Sequence, residues 1–211
     1  MASKEHLIGH WISSGVVKDK RVIEAFKKVP REKFIKKEHL DEAYGDYPLA
    51  IGEGQTISQP TTVMIMTQAL ELKEGDKVLE VGTGSGYQAA IIANIVGKKG
   101  KVISTEIAYD LAEFAKNNIK KLNIKNIKII KHDGSKGYEK EAPYDKMIIT
   151  AACPRIPKPL TSQLKENGII VAPVGSMLEQ VMIKARKKNN KLIEEKLGDF
   201  QFVPLKGKYG Y

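Results

Sequence analysis

The chain has 211 residues, with 35 Lys+Arg against 25 Asp+Glu, a formal net charge of +10 and one cysteine, Cys153. That length suits one α/β domain with a core of its own. The lone cysteine excludes an intramolecular disulfide and a cysteine-cluster metal site, and no apolar run approaches the ~20 residues that span a bilayer. The charge excess would fit an acidic partner such as nucleic acid. The lysines, however, are scattered, mostly on polar faces of the predicted helices, and read as a solvated surface. Residues 1–10 are polar and charged and show no secretory pattern, so a cytoplasmic protein is expected.

Residues 4–45 read as helical. His6, Leu7, His10 and Trp11 share one face, and Val22, Ile23, Phe26 and Val29 make a second apolar stripe. His6 and His10 stand four apart but have no third ligand nearby, so no metal site is expected. Pro30 closes the segment or opens a turn. Residues 47–54 are extended and glycine-punctuated. A helix follows from about Pro60, where proline suits the first turn, with Val63, Met64, Met66, Thr67 and Leu70 facing inward.

From residue 75 strands and helices alternate. Strands are predicted at 78–81, 102–105, 127–130, 146–150 and 169–172, and helices at 87–96, 109–122 and 159–164. Residues 180–185, 191–197 and 201–205 then read as three consecutive strands, the first two joined by a turn at Asn189-Asn190. Repeated βα units imply an α/β fold, a doubly wound, mostly parallel sheet with right-handed crossovers. Its last strands are antiparallel and its N-terminal extension is helical. In such sheets ligands bind beyond the carboxyl ends of the strands.

Those ends carry the most informative residues. Glu80-Val81-Gly82-Thr83-Gly84-Ser85-Gly86 follows the first strand of the alternating region. Gly82 and Gly84 fit a dinucleotide fingerprint, but the third glycine comes one position early, and Tyr87 takes its place. Glu80 would repel a diphosphate, which favours a helix N-terminus without a carboxylate. It would favour a cation such as the amino group and sulfonium of S-adenosylmethionine. Glu106 ends the next strand, about twenty residues on, where a carboxylate accepts from both ribose hydroxyls. Asp133-Gly134 follows the third, where an acidic side chain can take an exocyclic amine. This set resembles the class I S-adenosylmethionine-dependent methyltransferases, which implies a Rossmann-like fold. Cofactor contacts are then expected at Glu80, Gly82, Thr83, Gly84, Ser85, Gly86, Gln88, Glu106, Ile107, Asp133 and Gly134.

Gly54-Gln55-Thr56-Ile57-Ser58-Gln59-Pro60 is a second motif. Its residues allow two readings: an anion-friendly helix N-terminus, or a plain helix cap at Ser58 or Gln59. This stretch is similar to the protein-L-isoaspartate (D-aspartate) O-methyltransferases. So are Arg21-Val22-Ile23-Glu24-Ala25-Phe26, Val29-Pro30-Arg31-Glu32-Lys33-Phe34, Thr150-Ala151-Ala152, Pro173-Val174-Gly175 and Phe202-Val203-Pro204-Leu205. The resemblance runs over about residues 6–205; residues 206–211 match nothing usable. It implies methyl transfer from S-adenosyl-L-methionine to the α-carboxylate of L-isoaspartyl residues in damaged proteins and peptides. S-adenosyl-L-homocysteine is the other product, and a succinimide leads back to aspartate. It also implies that Ser58 holds the acceptor carboxylate, with Thr56, Ile57, Gln59, Thr150, Ala151 and Ala152 around the substrate. Residues 1–60 would form the helical extension and substrate loop and residues 61–211 the methyltransferase domain, one structural unit and a monomer. The rivals are a nucleic-acid methyltransferase and a non-catalytic S-adenosylmethionine-binding protein. Against the first, Thr150-Ala151-Ala152-Cys153-Pro154 lacks the amide and aromatic of amino-methylating DNA enzymes, so no nucleic-acid partner is expected. Cys153 reads as a small packing residue.

Overall fold

The computed structural model describes residues 3–211. The N-terminal extension is two helices, α1 (Lys4–Ser14) and α2 (Lys20–Lys28), then two short 3-10 turns at Arg31–Lys33 and Lys37–Glu42. Each α-helix is capped locally. Ser3 takes the His6 N–H, and Gly15 closes α1 at φ +69; Asp19 takes the Arg21 N–H of α2. Leu7 and Trp11, one helical turn apart, are buried with Val22, Ile23 and Phe26, so the extension shares the core. Trp11 meets Phe26 edge-on, with ring centroids 4.6 Å apart.

A small antiparallel hairpin follows, β1 (Leu49–Gly52) and β2 (Gln55–Ile57), leading into α3 (Pro60–Ala69). Next come β3 (Lys77–Val81), α4 (Tyr87–Val96), β4 (Lys101–Glu106), α5 (Tyr109–Lys121), β5 (Ile127–Lys131), β6 (Tyr144–Ile149), α6 (Lys158–Gln163), β7 (Leu164–Gly175), β8 (Gln180–Lys188) and β9 (Lys191–Phe200). Strands β3 to β9 form one sheet in the order β5-β4-β3-β6-β7-β8-β9. The first five in that order are parallel, and β8 and β9 run antiparallel. The chain winds outward from β3 to β5, then returns to lay β6 on the other side of β3. That reversal opens a crevice at the carboxyl ends of β3, β4 and β6.

Both faces of the sheet are covered, so its strands read as nearly continuous apolar runs. Successive residues alternate between the two faces. Val78, Val102, Ile148 and Val171 join one core cluster, while Leu79, Ile103, Ile149 and Ile170 join the other.

Residues 201–205 are not the predicted third C-terminal strand. They make one parallel bridge, Ala152 to Pro204. The Ala152 N–H donates to Val203 O at 2.8 Å, and the Leu205 N–H donates to Ala152 O at 2.7 Å. The segment crosses back over the end of β6, and β9 remains the sheet edge. That edge is studded with Lys191, Glu194, Glu195 and Lys196, all exposed, which discourages pairing with another chain.

Candidate functional site

The glycine turn sits at the reversal point. Gly82, Gly84 and Gly86 take φ values of +98, +52 and +86, conformations other residues adopt only with strain. The Gly82 and Thr83 N–H groups donate to Thr105 O at 2.9 and 3.1 Å, and the Thr150 hydroxyl donates to Val81 O and Gly82 O. The turn is therefore held by the ends of both neighbouring strands. A Cβ on Gly82 would collide with that same Thr150 hydroxyl. Bare backbone thus faces the crevice, the cradle a close-lying adenosyl ligand needs.

Glu106, at the end of β4, is engaged by three backbone donors. Oε2 accepts the Gly84 N–H at 2.9 Å, and Oε1 accepts the Ile107 and Ala108 N–H groups at 2.9 and 3.0 Å. A carboxylate offers about four lone-pair sites, so about one remains for a ligand. Accepting from two ribose hydroxyls requires release of one of these bonds.

Ser58 lies between β2 and α3, on the wall of the same cavity as the glycine turn and Glu106. The two readings of its loop separate here. Gln59 is the N-cap residue of α3, and neither its side chain nor that of Ser58 caps the helix. Asp46, remote in sequence, supplies the cap: Oδ1 takes the Thr61 N–H at 2.9 Å and Oδ2 takes the Thr61 hydroxyl at 2.7 Å. Trp11 Nε1 donates to the same hydroxyl at 2.7 Å. The Ser58 hydroxyl is left free of helix capping.

The cavity wall includes Gly82, Thr83, Gly84, Ser85, Gln88, Glu106, Ile107 and Gly134 from the expected cofactor set. From the expected substrate set it includes Thr56, Ile57, Ser58, Thr150 and Ala151. Five expected residues lie off that wall. Glu80 is fully buried beneath the turn, where its Oε2 accepts from the Ser104 hydroxyl. That hydroxyl is in turn 2.5 Å from Thr83 Oγ1. Burial pushes the Glu80 carboxyl up to about 8, so at neutral pH it is largely protonated and presents no fixed anion to a sulfonium. Gly86 packs α4 against Ala115 and Ile119 of α5.

Asp133 is spent on other partners. It accepts from the Ser135 N–H and hydroxyl and, through Oδ2, from the Lys208 N–H at 3.0 Å; these bonds hold its carboxyl below its ordinary pKa, against the opposing effect of partial burial. Gln59 is the N-cap residue of α3, and its carbonyl accepts the Val63 N–H. The Ala152 backbone is consumed by Val203 and Leu205, so no substrate chain can pair with it there.

The wall also holds residues the sequence did not single out, among them Met66, Tyr87, Ala108, His132 and the segment from Val203 to Lys206. Tyr87 had a signal: it stands where the third fingerprint glycine would be. The C-terminal segment carried a family-like stretch, Phe202 to Leu205, but nothing local placed it at the site; its bridge to Ala152 brings it there.

A larger cleft, about 950 Å³, opens between Lys28, the end of α4 and the α5–β5 turn. Its lining is lysine, asparagine, glycine, proline and aliphatic side chains, with no carboxylate, hydroxyl or imidazole. The chemistry therefore belongs to the crevice, although the cleft is bigger. Among the described residues no group of three His, Cys, Asp or Glu could hold a metal. Cys153 is buried, and burial raises its thiol to about 12.

Known proteins agree with this geometry. The family model for protein-L-isoaspartate(D-aspartate) O-methyltransferase matches residues 2–210. Protein-L-isoaspartate O-methyltransferase 2 of Archaeoglobus fulgidus is 53% identical over 192 residues, 91% of this chain and 88% of the relative. A solved protein-L-isoaspartate O-methyltransferase superposes with a TM-score of 0.90 at 32% identity, covering 99% of this chain and 67% of that one. A proposed protein-L-isoaspartate O-methyltransferase from Plasmodium falciparum, in complex with S-adenosyl-L-homocysteine, superposes with a TM-score of 0.84 at 30% identity, covering 98% and 99%. The chain belongs to the protein-L-isoaspartate(D-aspartate) O-methyltransferase family.

Proposed function

We propose that this protein methylates the α-carboxylate of L-isoaspartyl residues in damaged proteins and peptides, with S-adenosyl-L-methionine as donor. The observation that carries the reading is one cavity lined on one side by the glycine turn and Glu106 and on the other by Thr56, Ile57 and Ser58. When bound, S-adenosyl-L-methionine supplies a methyl group already activated by its sulfonium. The bare backbone of Gly82 and Gly84 and the carboxylate of Glu106 fit its adenosyl part.

The acceptor carboxylate is ionised at neutral pH and is already a nucleophile. The protein needs no strong base; it must align the acceptor and exclude water. Ser58 donates a hydrogen bond to one acceptor oxygen and holds it in place. Ile57, Val203 and Leu205 give that end of the cavity apolar walls. Thr150 and Ala151, small residues past β6, leave room for the substrate chain. In solution the next residue's backbone nitrogen then attacks the ester carbonyl, and methanol leaves. Water opens the resulting succinimide at one of its two carbonyls, one opening giving aspartate and the other isoaspartate again.

Among the described residues no helix is long and apolar enough to cross a membrane. We expect a cytoplasmic monomer with no nucleic-acid partner. The test is methyl incorporation into an isoaspartyl peptide beside its aspartyl twin. Labelling of the first alone is expected. Equal labelling of both, labelling of RNA instead, or cofactor binding without transfer would overturn the assignment.

A further inference from the structure

Arg31 is fully buried, yet its guanidinium meets no carboxylate. Nε donates to Ala43 O at 2.8 Å, Nη1 to Ser58 O at 3.0 Å and Nη2 to Tyr47 O at 3.4 Å. The two nearby carboxylates are taken elsewhere. Glu32 accepts from the Tyr44 hydroxyl at 2.5 Å, and Asp46 caps α3. One side chain thus ties three points of the loop that ends in Ser58, a task that needs a planar fork and that a lysine point charge cannot perform. The guanidinium carbon also lies 5.7 Å from the centre of the Tyr87 ring. Tyr87 stands on the cavity wall, and its hydroxyl has no partner among the described residues.

A buried cation whose fork holds only carbonyls and a ring face, with Asp46 acting on it through space and not by a hydrogen bond, is costly, and a further negative charge near it is favourable. We propose that Arg31 is the positioning residue of the acceptor loop. Its fork fixes the Ser58 main chain, and its charge, which no carboxylate hydrogen-bonds, favours an anionic acceptor at Ser58. This rests on the acceptor being a carboxylate bound at Ser58. Arg31 touches neither substrate nor cofactor, so it acts through Ser58 and Tyr87.

The experiment compares full-length wild type, Arg31→Lys and Arg31→Gln. Calorimetry gives the affinity and stoichiometry for S-adenosyl-L-homocysteine, and steady-state kinetics use an isoaspartyl peptide. In Arg31→Gln the peptide KM should rise about tenfold or more, the scale expected for a buried, hydrogen-bonded charge, with S-adenosyl-L-homocysteine affinity within about twofold. Arg31→Lys, which keeps the charge and loses the fork, should restore part of KM while kcat stays low. Unchanged peptide KM and kcat in both variants, beside an active wild type, overturns this inference alone. If Arg31→Gln also loses S-adenosyl-L-homocysteine binding, Arg31→Lys decides. Lowered kcat with intact cofactor affinity then supports the role, and wild-type kcat overturns it. A wild type that leaves the peptide unmethylated overturns the functional reading and this inference with it.

Discussion

Glu106 Oε2 accepts the Gly84 N–H at 2.9 Å, joining the end of β4 to the middle of the glycine turn across 22 residues of chain. The same carboxylate holds the first two N–H groups after the strand and lines the cavity beside the glycine turn. Glu106→Ala should weaken S-adenosyl-L-homocysteine binding roughly ten- to a hundredfold, as expected for loss of charge-assisted hydrogen bonds. Calorimetry checks this; an unchanged dissociation constant would remove Glu106 from the site.

Ser58 and Asp46 should separate cleanly. Since Asp46 caps α3, Ser58→Ala should lower turnover while thermal stability and cofactor affinity stay near wild type. Asp46→Ala loses the cap and should cost about 1 kcal/mol of stability. Paired melting curves and kinetics test the contrast. A Ser58→Ala variant that melts early but turns over normally would return Ser58 to a capping role.

Gly82 has no room for a side chain. At φ +98, with the Thr150 hydroxyl where a Cβ would sit, Gly82→Ala should lose about 1–3 kcal/mol through backbone strain, and it should displace the turn. Cofactor affinity should fall with it. Denaturant unfolding and calorimetry together measure both losses; a variant with wild-type stability and affinity would show that the turn tolerates the Cβ.

Glu80 gives a pH signature. Its folded carboxyl is raised by burial to about 8 from an ordinary 4.5, so between those values the folded state holds a proton that the unfolded state has lost. The favourable contribution is complete below pH 4.5 and is lost progressively as pH rises towards 8. Glu80→Gln keeps a neutral polar group at all pH values. The melting temperature of Glu80→Gln relative to wild type should therefore rise between pH 5 and pH 8. A difference that does not move with pH would mean Glu80 is ionised in the folded protein.

Which parts of this were legible in the chain follows from the range of the forces involved. The βα alternation could be read because short apolar runs and 3.6-residue patterns are local, and a sheet covered on both faces must be apolar on both. The glycine turn and Glu106 could be read because positive φ and strand-end carboxylates leave marks at fixed spacing. Residues 201–205 looked like a strand because they follow two others as a short apolar run, but such a run does not say which edge is available. Pro204 has no N–H for a ladder, and the segment docked on Ala152 instead. The position of Glu80 in its motif says nothing about depth; the structure buries it beneath the turn, off the cavity wall.

By itself the sequence determined the α/β class, the glycine turn, the carboxylate at Glu106 and, through its resemblance, the family. Each rests on residues close together in the chain. Only the tertiary structure decided that Asp46 caps α3 and frees Ser58, that Asp133 holds the C-terminal segment, and that Arg31 donates to three carbonyls and to no carboxylate. Those outcomes depend on groups 12 to 75 residues apart competing for the same donors and acceptors. No local pattern records which partner wins.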